Sequence, residues 1–203
     1  NSLRFSLSFD DDAGTAGAIR NADGSTTYAK TWPPQALGSA IEAVNAAGEL
    51  LWSDDSYFSS FSFVHGLELG PQGEFIVADT TAGTVFAVTP EGEPLWSLNW
   101  QAGGVIHWPN GVHVATTTSG ETLMAVSLLV QAGAGDDRVE VYTIGTAGPE
   151  PRWTYAAGDA SWPHGPHVEE DGSVLASLAA RGQVIRLVDG ALDWTIPPEP
   201  GVL

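Results

Sequence analysis

The chain has no cysteine, a single lysine and little positive charge of any kind. Its 203 residues include 7 Lys+Arg against 25 Asp+Glu, which gives a formal net charge of −18. The missing thiols exclude a disulfide scaffold and any thiolate metal site. The negative charge repels phosphate backbones, so we exclude nucleic acid as a partner. An acidic, lysine-poor composition suits a salty or extracellular setting, and we predict an extracellular or periplasmic protein.

Long apolar runs are also missing. No run approaches the about 20 residues that a membrane helix needs, so we predict no membrane span. The sequence shows neither an initiator methionine nor a signal peptide, and we expect a processed chain or a segment of a longer one. The hydrophobic share of 43% is ordinary for a folded domain.

Helix signals are nearly absent, because Gly and Pro interrupt the chain every few residues. What recurs instead is a short run rich in β-branched residues, bounded by Gly, Asp, Pro or Thr. Such runs lie at 74–78, 84–88, 122–128, 138–142, 173–177 and 183–187. Short, evenly spaced strands with glycine-rich turns predict an all-β sandwich, barrel or propeller.

An internal repeat decides among these three architectures. The segment 38–53 superimposes on 83–97, sharing two glycines, an Ala-Val pair and a closing Trp-Ser. Shorter versions follow, and the repeats end at Trp52, Trp96, Trp153 and Trp194, spaced 44, 57 and 41 residues apart. A repeat of this length is typical of propeller blades. We interpret the closing tryptophans as wedges packed between blades.

A second repeated element, His-Gly or Asn-Gly, precedes the last three repeats. Each unit then reads as four antiparallel strands, so the chain is predicted to be a single β-propeller domain over 1–203. The predicted blades are 1–55, 56–100, 101–157 and 158–203, with the inner strands of the first at 3–9 and 25–30. Four blades are visible, either as a closed ring or as part of a ring of five to seven.

The repeats resemble three propeller families. The pattern of 83–97 resembles the PQQ-like propellers, and Phe75–Asp79 is similar to the NHL type. The blade openings His65-Gly66, Asn110-Gly111 and His164-Gly165 look like those of the bacterial arylsulfotransferase-like propellers. The resemblance covers about residues 38–196, and it indicates the architecture more specifically than the activity. It implies that a channel histidine, His65 or His164, is the nucleophile that accepts a sulfuryl group.

The five histidines fall in or beside the repeated element. Aligned at the glycine, His65, Asn110 and His164 form one column, and Glu68, His113 and His167 form another. The first strand of each blade is nearest the axis, so we expect these columns to converge at the channel mouth. An odd offset points the two columns to opposite strand faces, unless the glycine marks a bulge.

Imidazoles in a ring suit several roles. They predict a divalent metal site of His65, His113, His164 and His167, with zinc favoured by ligand type and copper or nickel as alternatives. They equally suit acid–base or nucleophilic chemistry, or plain hydrogen bonding at blade ends.

Two further residue sets bear on ligands. Asn110 is a candidate ligand-binding residue because it shares a column with His65 and His164, and Arg181 is a second one because an aryl sulfate needs positive charge at its site. Acidic clusters suit Ca²⁺ as hard oxygen ligands, without the spacing of an EF-hand, or serve as solvated loop charge. These clusters lie at 10–12, 54–55, 136–137 and 169–171.

The first functional hypothesis is an extracytoplasmic propeller that binds a metal or small ligand, or assembles with protein partners through its faces or edges. The cofactor is unknown, with zinc and calcium as candidates. The second hypothesis is an arylsulfotransferase-like enzyme. The third is a purely structural subunit of a larger complex.

Overall fold

A computed structural model of the chain describes residues 14–20, 24–31, 40–45, 47, 49–54, 63–90, 93–102, 105–130 and 135–197. Across these ranges the regular elements are β-strands, apart from one 3₁₀ turn at Ala179–Arg181. No helix in the described part is long and apolar enough to cross a membrane. The strands are β1 Gly14–Arg20, β2 Thr26–Thr31, β3 Ala40–Val44, β4 Leu50–Asp54, β5 Val64–Leu69, β6 Phe75–Asp79, β7 Thr84–Val88, β8 Pro94–Asn99, β9 Gln101–Ala102, β10 Val105–Thr116, β11 Thr122–Val130, β12 Asp137–Gly145, β13 Gly148–Gly158, β14 Pro163–Val168, β15 Val174–Leu178, β16 Gln183–Val188 and β17 Ala191–Ile196.

The strands form four antiparallel sheets, each built from strands that follow one another along the chain. Sheet 1 is β1–β4, sheet 2 is β5–β8, sheet 3 is β9–β13 and sheet 4 is β14–β17. Sheet 3 has a fifth strand because the short β9 pairs with the start of β10. The predicted all-β, four-stranded antiparallel unit is thereby confirmed.

The first sheet differs from the predicted one at its beginning. The run 3–9, expected to be an inner strand, lies outside the described residues. The innermost strand of sheet 1 is instead β1, a Gly/Ala-rich segment that carried no strand prediction. The run 25–30 overlaps β2. Alternating small residues give little hydrophobic pattern, which is why the sequence did not reveal β1.

Apolar side chains are buried in three clusters that lie between successive sheets. Because side chains alternate along a strand, each middle strand sends one set of residues to each neighbour. Phe75 and Val77 of β6 join the cluster between sheets 1 and 2, whereas Ile76 and Ala78 join the cluster between sheets 2 and 3. The third cluster packs β11 and β12 against β14, β15 and β16.

The repeat-ending tryptophans pack toward the following sheet, as the wedge interpretation predicts. Trp96 packs on the cluster between sheets 2 and 3, and Trp153 on the cluster between sheets 3 and 4. Trp96 lies over Gly148 of the next sheet, where an added Cβ would meet the indole at 3.3 Å. The side chain of Trp52 lies outside the part of the chain that the structure describes.

Sheet 4 has one apolar face with no sheet against it in the described structure. Ile185 and Leu187 of β16 are buried toward sheet 3. Trp194 and Ile196 pair with residues of the opposite face of β16 and are 40% and 54% exposed. The position that is a packed wedge in sheets 2 and 3 is therefore a surface residue in sheet 4.

Candidate functional site

The inner strands β5, β10 and β14 run side by side and bring one histidine column together. Contacts link β1 to β5, β5 to β10 and β10 to β14. An open cavity of about 340 Å³ lies where β5, β10 and β14 meet. Its lining consists of His65, Gly66, Leu67, Glu68, Asn110, Gly111, Val112, His164, Gly165 and Pro166. The predicted convergence of His65, Asn110 and His164 is present in the structure, and we call this cavity the axial pocket.

The repeat glycines of β5 and β10 allow the inner strands to approach closely. A Cβ on Gly66 would lie 2.9 Å from a methyl of Val112 on the next strand. A Cβ on Gly111 would lie 2.9 Å from the Pro166 ring and 3.3 Å from the Gly165 nitrogen. Side chains do not tolerate such distances, so these positions require glycine.

A β-bulge interrupts each of the three inner strands at this glycine. The registers of β5, β10 and β14 shift between Val64 and Gly66, Pro109 and Val112, and His164 and His167. An extra residue in one strand re-aims the side chains that follow it. Glu68 consequently lines the same pocket as His65, although the two are three residues apart.

Two imidazoles face each other across the axial pocket. The ring centroids of His65 and His164 are 5.9 Å apart, and the ring of Phe63 lies 4.5 Å from that of His65. Partial burial, with a smaller effect of the neighbouring His164, lowers the pKa of His65. A neutral His65 at pH 7 offers one acceptor nitrogen and one N–H donor.

Glu68 is the one acidic side chain in the lining. Burial raises its pKa to about 7, because the charged form loses solvation in the pocket. No group in the described ranges donates a hydrogen bond to its carboxylate. Glu68 therefore titrates near neutral pH and can act as a proton acceptor or donor. Sequence reasoning placed it in a column without selecting it as a site residue.

Asn110 occupies the middle of the site and is only 5% exposed. Its side-chain amide has no hydrogen-bond partner among the described residues. Behind it, the hydroxyl of Ser127 is fully buried and also unpaired within the described part of the chain. The fully buried side-chain atoms without a partner in the described chain are Ser127 Oγ and His107 Nδ1. The amide of Asn110 is not among them, so it is open to the pocket, where water or a ligand can hydrogen-bond it.

His113 and His167 form a second pair, which does not line the axial pocket. Their ring centroids are 4.2 Å apart, and the Val168 backbone N–H donates to His113 Nδ1 at 3.0 Å. Burial, together with the neighbouring His167, lowers the pKa of His113 to about 4. Because Nδ1 accepts a hydrogen bond in the neutral ring, Nε2 carries the proton and has no lone pair for a metal.

The four predicted metal ligands thus divide into two pairs. The described residues contain no group of three or more His, Asp or Glu placed to hold a metal ion. Of the acidic clusters, Asp137 is engaged in the fold, since its carboxylate accepts from Val130 N at 2.8 Å and Trp162 N at 2.9 Å. Asp171 is paired with Arg186.

Arg181 does not line the axial pocket. It ends the 3₁₀ turn, and its guanidinium lies against Gly158, where an added Cβ would be 2.8 Å away. No Lys or Arg is among the pocket residues. The described lining of the pocket therefore offers no side-chain cation to an anionic sulfate.

No protein-family model and no curated protein sequence matches this chain. Solved structures do match it. A catalytically inactive His-to-Ala variant of virginiamycin B lyase from Staphylococcus aureus with quinupristin superimposes with a TM-score of 0.65 at 12% identity, over 95% of this chain. A streptogramin B lyase gives 0.64 at 13% identity over 96%. The fold is that of a β-propeller.

A third match is the periplasmic gluconolactonase of Pseudomonas aeruginosa, with a TM-score of 0.52 at 12% identity over 88% of this chain. The propeller spans 58% of the length of each lyase and 68% of the gluconolactonase. Identities this low establish the shared propeller architecture and not a shared activity. The sheets described above are accordingly propeller blades, and the axial pocket lies beside their innermost strands.

Proposed function

We propose that this propeller is an extracytoplasmic binding module, which takes a small polar ligand in the axial pocket. The observation that carries the proposal is Asn110, a residue only 5% exposed whose amide has no partner in the described chain, on the strand between those of His65 and His164. The amide is not one of the fully buried unpaired atoms, so it is open to the pocket. A ligand that hydrogen-bonds it in place of water would gain about 0.5–1.5 kcal/mol per hydrogen bond.

The architecture supports this role. Propellers place equivalent residues of successive blades around one axis, so a site is assembled from segments far apart in sequence. The pocket supplies an amide, two imidazoles and a carboxyl group within one cavity of about 340 Å³. Pockets of this size with a few convergent polar groups are typical ligand sites. A periplasmic neighbour is consistent with the predicted extracytoplasmic location.

The substitution Asn110→Leu tests the proposal, because stability and binding should respond in opposite ways. Leucine has a similar volume and no unpaired polar atoms, so the variant should be at least as stable as wild type. It should also lose the ligands found by saturation-transfer NMR with a library of small polyols, amines and carboxylates. An exposed outer-strand variant, Asn99→Leu, serves as the control and should retain those ligands.

Two results would contradict the proposal. If Asn110→Leu is strongly destabilised, the amide has a structural partner and not a ligand. If wild-type protein binds no library member at the axial pocket, judged by the His65 and His164 resonances, the binding role fails.

A second candidate function is assembly, favoured by the open face of blade 4. Trp194 and Ile196 are exposed there, whereas the equivalent Trp153 packs on the next blade. A second copy of the chain supplies blades of the same kind, and packing on one would continue the inter-blade interface already present. Light scattering should then report a dimer, which Trp194→Asp disrupts and the surface control Leu95→Asp does not. A monomer at all concentrations would contradict this candidate.

Sulfuryl transfer through His65 or His164 stays a prediction with less support, because no Lys or Arg is among the described residues that line the pocket. Turnover of a chromogenic aryl sulfate with a phenol acceptor, lost in His65→Ala or His164→Ala, would establish it. The predicted zinc or calcium ion is tested by metal analysis of the purified protein.

A further inference from the structure

We infer that the ligand of the axial pocket carries a cationic ammonium group, which is held by Glu68, Asn110 and the imidazoles of His65 and His164. This inference rests on the proposed binding function and names the chemical class of its ligand. It follows from the carboxyl group of Glu68 in the lining, from the absence of Lys and Arg among the described lining residues, and from the absence of a metal-binding group of three among the described residues.

The pocket is rich in acceptors that nothing in the described structure uses. Glu68 contributes a carboxylate, and Asn110 a carbonyl oxygen. The neutral imidazole of His65 adds one acceptor nitrogen and one N–H donor. An ammonium group has three N–H donors and no acceptor. It can therefore donate to the oxygens of Glu68 and Asn110, whereas a carboxylate or sulfate ligand would meet Glu68 as a like charge.

The arginines that balance charge elsewhere are already engaged. Arg138 pairs with Glu140, Arg152 with Glu121, and Arg186 with Asp171 and Asp193. None of these three lines the axial pocket. The net charge of −18 adds a field that concentrates cations at such a cleft.

The spacing favours an organic cation over a metal ion. Zinc and calcium need several ligand atoms within about 2.0–2.6 Å of one point. The described residues offer no such group of three His, Asp or Glu. An N–H donor reaches its acceptor at about 2.7–3.2 Å, so an ammonium group does not need the tightly converging ligand atoms that a metal ion needs.

Glu68 also predicts how binding depends on pH. The pKa of its carboxyl is raised to about 7 by burial, and a bound cation favours the ionised form. Affinity for an ammonium ligand should therefore increase as the pH rises from 6 to 8. Binding near pH 7 should release protons to the buffer.

The experiment uses three probes of equal length and different charge: n-propylammonium, n-propanol and propionate. Each is titrated at constant ionic strength into protein with ¹⁵N-labelled histidine, and the resonances of His65 and His164 are followed. We expect propylammonium to bind at least about tenfold more tightly than the other two. Glu68→Gln should weaken it about tenfold, whereas Glu150→Gln, which removes the same charge from the outer strand of blade 3, should change it less than about twofold.

The outcomes separate this inference from the proposed function. Propionate binding as tightly as propylammonium, or an unchanged affinity in Glu68→Gln, overturns the ammonium assignment while the pocket remains a binding site. Binding of no probe, together with no library ligand at the pocket, overturns both. An equal loss in Glu150→Gln would show general charge attraction and would also overturn the assignment.

Discussion

Gly111 lies where two inner strands approach too closely for a side chain, and Gly111→Ala tests this packing directly. The added Cβ would lie 2.9 Å from Pro166 Cδ, 3.1 Å from Ser127 Oγ and 3.3 Å from the Gly165 nitrogen. Two of these neighbours are a proline ring and backbone, which cannot rotate away. Overpacking of this kind costs about 1–3 kcal/mol.

The magnitude predicts a measurable loss of thermal stability. For a domain of this size, each kcal/mol corresponds to about 2–4 °C in Tm, so Gly111→Ala should lower Tm by roughly 2–12 °C. The matched control is Gly145→Ala at the end of β12, where an added Cβ meets nothing within 4 Å. Differential scanning calorimetry of both variants makes the comparison. Equal Tm values for the two variants would refute the close approach of blades 3 and 4.

Three more predictions concern packing, pH and a buried carboxylate. Trp153→Ala should cost about 3–5 kcal/mol in urea unfolding, and Trp194→Ala less than about 1 kcal/mol, because only the first indole packs on a following blade; similar losses would contradict the wedge role. The pKa of His113 is lowered to about 4 from 6.5, so the folded state binds fewer protons and stability should fall as the pH drops from 6.5 to 4. Half-exposure reduces the expected loss to about 1–2 kcal/mol, and urea unfolding at pH 7 and pH 4.5 should show it in wild type but not in His113→Gln. Asp137→Ala should cost about 2–3 kcal/mol, since it leaves the backbone N–H groups of Val130 and Trp162 unpaired; an unchanged midpoint of unfolding would count against that role.

The blade repeat could be predicted because it depends on a local pattern of residues along the chain. Alternating apolar runs and glycine turns fix strand positions locally, and the closing tryptophans mark the end of each unit. β1 escaped prediction because Gly14–Arg20 has almost no large side chains. Its place as an inner strand depends on packing against β5 and not on its own composition.

The candidate site was predicted in part for the same reason. Aligning the blades at their glycine placed His65, Asn110 and His164 in one column, and the structure brings them to one pocket. The same alignment put His113 and His167 with Glu68, yet only Glu68 lines that pocket. All three inner strands carry the same bulge, so the separation depends on how these strands pack against one another, which an alignment of the repeats does not show.

The sequence by itself determined the all-β class, the four-stranded blade unit and the near absence of cationic groups, because periodicity, turn residues and charge are properties of the chain. Only the tertiary structure decided which polar groups share a cavity and which are left without partners. The unpaired amide of Asn110 is visible only once three inner strands are placed side by side. Blade 4 likewise repeats the wedge tryptophan in sequence, and only the packed structure shows that Trp194 is 40% exposed and packs on no other blade among the described residues. Burial and hydrogen bonding belong to pairs of segments far apart in the chain, so they cannot be read from either segment alone.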